Sequence, residues 1–324
     1  MIGHDAQTAA FKAAFSEGRP HHAWLLTGPQ GLGKSLFAEA AAIWVLAGQP
    51  EVAGFAVDPE TPAARFVRAG SHLDFKRLER TENPKTGKRR AEIVMGQIVR
   101  RDDTADTPLN ELLQSRPALG DWRVVIVDAT EDMNRNVANA LLKNLEEPGP
   151  GTLFLLVSHA PGRLLPTIRS RCRTLRFARL TDTQVGRILD AQADDLSDDD
   201  RDALIRLAAG APGRALRFAD AGVASLERDL AALATADPET APHRALALAR
   251  GLAGKAAAAR YDAFLDLAPA MLATAARRHD GPGRARAIAA WEEATRLAAS
   301  AGPLALDPQA VAFDIARRLA AAGA

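Results

Sequence analysis

Gly28-Pro-Gln-Gly-Leu-Gly-Lys34-Ser35 is the stretch whose reading decides the fold of this chain. It satisfies G-x-x-x-x-G-K-[ST] at every position. Its glycines let backbone N–H groups turn inward around an anion, at the positive end of the helix that follows. Lys34 has the reach to meet the β and γ phosphates of a nucleotide, and the Ser35 hydroxyl can coordinate Mg²⁺. The flanks suit such a loop. His22-Ala-Trp-Leu-Leu-Thr27 reads as a buried parallel strand, and residues 36–47, rich in Ala and Leu, read as a helix. Strand, glycine loop and helix in that order imply a P-loop α/β fold. Gly28, Pro29, Gln30, Gly31, Leu32, Gly33, Lys34 and Ser35 are then the expected nucleotide contacts.

Outward from the loop, Arg123-Val-Val-Ile-Val127 and Leu153-Phe-Leu-Leu-Val157 read as two more buried strands, with a helix over 134–147 between them. A further strand is expected at 173–177. Strands separated by helices predict a parallel, doubly wound sheet. Asp128, ending one apolar run, is the candidate partner of Mg²⁺. Many hydrolysing proteins of this class carry a glutamate directly after that aspartate, to orient the attacking water; here the residue is Ala129. Glu131 and Asp132 lie nearby but further along the chain, and a misplacement of about 1 Å can cost ~10²-fold in rate. Ser158, ending the next strand, is the expected contact to a γ-phosphate or an attacking water. Residues 74–101 are polar and less regular, with a loop at Asn83-Pro-Lys-Thr-Gly87.

After Leu180 the strand signal stops. Ser197 to Asp200 supply helix-start residues, and Gly210-Ala-Pro-Gly213 breaks one helix from the next. The remainder is rich in Ala, Leu and Arg, with breaks at Asp237-Pro238, Asp280 to Gly283 and Gly302-Pro303. That predicts four or five further helices packed through apolar stripes, with Phe264, Trp291 and Phe313 among the packing residues. Composition narrows the class. The chain has 324 residues, 47% hydrophobic, and a net charge of +1, so wholesale electrostatic capture of nucleic acid is not expected. Basic residues cluster locally at Lys85, Lys88, Arg89 and Arg90, and again from Arg163 to Arg176. No apolar run approaches the ~18 residues of a membrane span, and no signal-like stretch opens the chain. The single cysteine, Cys172, excludes an internal disulfide and a multi-cysteine zinc site. A cytoplasmic address is expected.

Two blocks carry a family resemblance: Asn139-Ala-Leu-Leu-Lys-Asn-Leu-Glu-Glu-Pro148 and Leu164-Leu-Pro-Thr-Ile-Arg-Ser170-Arg171-Cys172-Arg173. At this spacing they closely resemble the clamp-loader branch of the AAA+ ATPases, a resemblance that runs from His4 to about Ala219. It implies an α/β plus all-α protein: a P-loop parallel-sheet base domain at 1–180, a small helical lid at 181–222 and a helical collar at 223–324. In that branch Ser-Arg-Cys presents an arginine finger, so Arg171 is implied to act in trans on ATP held by a neighbouring motor subunit. Such a finger is worth about 10³–10⁵ in rate, by neutralising charge on the transferred phosphoryl group. Arg214, in Gly210-Ala-Pro-Gly-Arg-Ala-Leu216, resembles the sensor 2 arginine.

The motor subunits of this branch carry a glutamate after the Walker B aspartate and a four-cysteine zinc module. This chain has neither, and it most resembles the delta-prime subunit family of bacterial DNA polymerase III. The resemblance implies ATP or ADP with Mg²⁺ held by Ser35 and Asp128, no zinc, and little or no intrinsic ATPase. Implied partners are the gamma/tau motor subunits, the delta subunit, the sliding clamp and primed DNA. An autonomous AAA+ ATPase or remodeller is the alternative that the intact loop, Asp128 and Arg214 leave open, and Ala129 opposes it.

Overall fold

The longest apolar runs become the middle of a sheet. A computed structural model describes residues 2–18, 20–83, 86–101 and 107–323. Its five strands are β1 (Ala23–Thr27), β2 (Phe75–Glu79), β3 (Arg123–Asp128), β4 (Thr152–Ser158) and β5 (Arg173–Arg176). They form one all-parallel sheet in the order β2-β3-β4-β1-β5. β1 and β4 are buried at every residue, and β3 at all but its last, because helices cover both faces of the sheet. The chain divides into two compact units, Met1–Leu180 and Thr181–Ala324.

In the first unit the two faces of the sheet have different cores. One face is aliphatic. Leu25, Val125, Val127, Phe154 and Leu156 pack with Val137, Leu141 and Leu145 of the helix Arg135–Glu146. That helix starts where Asn134 caps it, its side chain accepting the N–H groups of Asn136 and Val137. The opposite face is aromatic. Phe11 of the helix Asp5–Ser16 meets Trp24, Phe37, Trp44 and Phe55 at ring-centroid distances of 5.1–6.4 Å. Trp24 and Leu25, adjacent in β1, point to opposite faces, so one strand serves both cores.

β2 corrects the sequence reading, since it lies inside the stretch read as polar and irregular. Only Phe75 and Leu78 of its five residues are buried. As an edge strand, β2 needs too few apolar residues to show a strand pattern. β5, at the other edge, buries Leu175 alone. Of the first basic cluster, Lys85 lies outside the described residues, and Lys88 and Arg89 are exposed.

Among the described residues the second unit is helical throughout, as the loss of strand signal predicts. Helix Asp182–Gln192 opens with a capping box between Thr181 and Gln184, and Ser197 caps helix Asp198–Ala208. The later helices are Pro212–Arg217, Val223–Ala234, Ala241–Gly251, Ala258–Arg278, Gly281–Ala301 and Pro308–Gly323. Their core is built largely from small side chains: Ala245, Ala249, Ala263, Ala268, Ala287, Ala294 and Ala312 are all inaccessible to solvent. Phe264 lies among them, whereas Trp291, expected to pack, is 39% exposed. No described helix is long and apolar enough to cross a membrane.

Candidate functional site

The motif loop leaves the C-terminal end of β1 and enters helix Lys34–Leu46 with Gly33 as the residue before it. Gly31 and Gly33 have φ of 82° and 80°, values that side-chain-bearing residues avoid. Gly28 is constrained differently. Its φ is 149°, and a Cβ there would lie 2.5 Å from the carbonyl oxygen of Phe177. Pro29 and Gln30 are exposed at the rim, while Leu32 is buried beneath the loop. The Leu32 carbonyl accepts a 2.7 Å bond from His4 Nε2, so the imidazole proton resides on that nitrogen. The His4 ring also stands edge-on to Phe177 at 4.8 Å. Burial lowers the His4 pKa, which keeps the ring neutral. His4 thus gains a role that its sequence position did not reveal.

Lys34 is 2% exposed, and its ammonium donates to the carbonyls of Gly28 (2.6 Å) and Pro29 (2.5 Å). Burial lowers its pKa to about 8, against the pull of the Glu131 and Asp128 carboxylates. Ser35 Oγ donates to Asp128 Oδ2 at 2.5 Å. Two residues 93 positions apart therefore meet as hydroxyl and carboxylate, because β3 ends beside the first turn of the loop's helix. Ser158 is fully buried at the end of β4, in register with Thr27, the residue before the loop.

Glu131 is the residue whose place was not legible. A short 3-10 turn over Thr130–Asp132 carries it back over the strand ends. Its Oε1 accepts from Ser158 Oγ at 2.5 Å, from the His159 N–H at 2.9 Å and from the Ala160 N–H at 2.7 Å. Burial pushes the carboxyl upward, but these donors outweigh it and hold the pKa below the ordinary value. Asp132 turns away and pairs with Arg80 at 2.9 Å. Ala129, buried, supplies no polar atom beyond its backbone.

The loop, Ser35, Asp128, Glu131 and Ser158 therefore form one cluster at the C-terminal ends of β1, β3 and β4, the usual position for ligands in open α/β sheets. Its chemistry suits a phosphate group with a divalent cation. Backbone N–H groups at a helix start and one ammonium are groups that can meet an anion, and a hydroxyl–carboxylate pair offers hard oxygen ligands.

Arg171 takes its partners elsewhere. Its guanidinium pairs with Glu146 at 2.8 Å and donates to the Thr167 carbonyl at 3.0 Å; both side chains of the pair are partly exposed, at 36% and 41%. This contact joins the two blocks that carried the family resemblance, and Glu146 is a second residue not singled out from sequence. Neighbouring Cys172 is half-buried, and burial pushes its thiol up to about 12, which disfavours the thiolate. Arg214 belongs to the second unit and pairs with Asp266 at 3.1 Å.

The sequence profile of the family described as DNA polymerase III, delta subunit, matches residues 3–181. A DNA polymerase III subunit delta′ from Pseudomonas aeruginosa is 42% identical over 47% of this chain and 41% of its own length. Its Escherichia coli counterpart is 33% identical over 63% of this chain and 56% of its own. The chain thus spans about half the length of the curated relatives it matches. A solved DNA polymerase III gamma subunit-related protein from Thermotoga maritima aligns with 98% of this chain and 100% of its own, at 14% identity and a TM-score of 0.49. With more than half of its residues under the family profile, the chain belongs to the family described as DNA polymerase III, delta subunit.

Proposed function

We propose that this protein serves as the delta-prime-type subunit of a DNA polymerase III clamp loader. It assembles with gamma/tau motor subunits and the delta subunit to place the sliding clamp on primed DNA, in the cytoplasm. Its own catalytic contribution is Arg171, offered in trans to ATP on a neighbouring motor subunit. The observation that carries this reading is the setting of Arg171. Its guanidinium is partly exposed and is braced by Glu146 and the Thr167 carbonyl, well suited to meet a partner's phosphate. Reconstitution with the motor and delta subunits tests it: Arg171→Ala should reduce ATPase at the site it serves by about 10³-fold or more. Clamp loading should fall with it, and unchanged activity would remove the finger.

The chain's own site is proposed to take ATP or ADP with Mg²⁺. Lys34 and the loop N–H groups would hold the phosphates, and Ser35 and Asp128 would hold the cation, which neutralises phosphate charge when bound. Arg214, which resembles the sensor 2 arginine in sequence, pairs with Asp266 within the second unit. Little hydrolysis is expected, because Ala129 has no carboxylate and that of Glu131 is committed to three donors. A Lys34→Ala variant should lose binding of a fluorescent nucleotide. The intact loop and the Ser35–Asp128 pair are the observations that favour an autonomous ATPase, and Ala129 opposes it. Turnover of roughly 1 s⁻¹ by the isolated chain, abolished by Lys34→Ala, would establish that reading instead.

A further inference from the structure

Three donors at the end of β4 converge on one oxygen. The Ser158 hydroxyl and the N–H groups of His159 and Ala160 all donate to Oε1 of Glu131. Ser158 lies in register with Thr27, so this hydroxyl borders the loop that starts at Gly28. A hydroxyl has one proton to give. While that proton is held by Glu131, Ser158 presents only lone pairs to its surroundings, and lone pairs repel phosphate oxygens. The two backbone N–H groups keep the carboxylate in place, which makes release of the Ser158 proton costly. Glu131 also exerts a stronger pull on the Lys34 ammonium than Asp128 does. Loop N–H groups and Lys34 can satisfy a diphosphate, whereas a third phosphoryl group placed toward the end of β4 would approach an oxygen with no proton to offer.

We propose that Glu131 makes the Gly28–Ser35 site selective for a nucleoside diphosphate over a triphosphate, by holding the Ser158 hydroxyl proton beside its own negative charge. The inference rests on the nucleotide-binding reading of the loop given above. Glu131 is then a specificity-determining residue that no motif marks, and the site is a holder of nucleoside diphosphate.

Isothermal titration of the full chain with Mg-ADP and with a non-hydrolysable Mg-ATP analogue tests this. The wild type should bind ADP about tenfold or more tightly than the analogue, the range expected for one charge-assisted hydrogen bond. Glu131→Ala should bring the two affinities within about threefold, chiefly by tightening the analogue. Glu131→Gln keeps the shape and an acceptor oxygen but not the charge, so it should fall between, and it serves if the alanine variant does not fold. Equal affinities in the wild type, or a preference unchanged in both variants, would overturn the proposal and leave nucleotide binding standing. Failure of the wild type to bind either nucleotide would overturn both.

Discussion

Asp74 and Arg123 form an ion pair that neither residue could hold alone, with side chains 1% and 3% exposed. The guanidinium donates to Asp74 at 3.3 Å and to the carbonyls of Leu112, Ser115 (2.9 Å) and Arg116 (3.0 Å). The Asp74 carboxylate also accepts the N–H groups of Ala118 and Leu119, at 2.8 and 2.7 Å. Asp74→Ala leaves a buried guanidinium without its counter-charge, which costs about 3–5 kcal/mol. For a unit of this size each 1 kcal/mol moves Tm by about 2–4 °C, so the drop should be roughly 6–20 °C. Tryptophan fluorescence is a suitable probe, because Trp24, Trp44 and Trp122 lie in the first unit and only Trp291 in the second. A double variant, Asp74→Ala with Arg123→Met, should recover part of the loss, since no isolated charge then remains buried. The anchor sits at the N-terminal ends of β2 and β3, away from the Lys34 cluster, so nucleotide affinity of the folded variants should be unchanged. A Tm within about 2 °C of wild type in Asp74→Ala would refute the reasoning, as would a double variant less stable than the single.

Gly28→Ala forces a side chain into a glycine-only conformation and against the Phe177 carbonyl. A loss of about 1–3 kcal/mol from the backbone alone is expected by denaturant titration, together with weakened nucleotide binding. Glu146→Ala removes a partly exposed pair and should change stability by less than about 1 kcal/mol, read as thermal midpoint, while impairing reconstituted loading by freeing Arg171. His4, His22 and His72 all have pKa values lowered by burial. Their unfolded forms therefore bind protons more readily, so stability should fall as pH drops below about 6.5. Midpoints measured from pH 7.5 to 5.5 would show it, and a flat profile would refute it.

Much of the first unit was legible in order. The runs behind β1, β3 and β4 are apolar at nearly every position because both faces of each strand are covered, and a continuous run needs no tertiary information to be noticed. The Gly28–Ser35 motif was equally plain, since its backbone demands glycine at particular places. β2 was not, because an edge strand with two buried residues carries almost no pattern. Trp291 went the other way: large and aromatic, it reads as core, yet it faces solvent on a helix whose buried positions are alanines.

The amino-acid order by itself determined the loop, the central strands, the helical second unit and the family, all of which depend on residue type at short, regular spacing. Only the tertiary structure decided which side chains share a site. Ser35 meets Asp128 across 93 residues, His4 props Leu32 across 28, and Glu131 captures Ser158 across 27. Such partners are set by strand order and by a single turn after β3, which act in space and leave no period in the sequence. Ala129 leaves no carboxylate directly after Asp128; where the nearest one goes instead is a property of the fold.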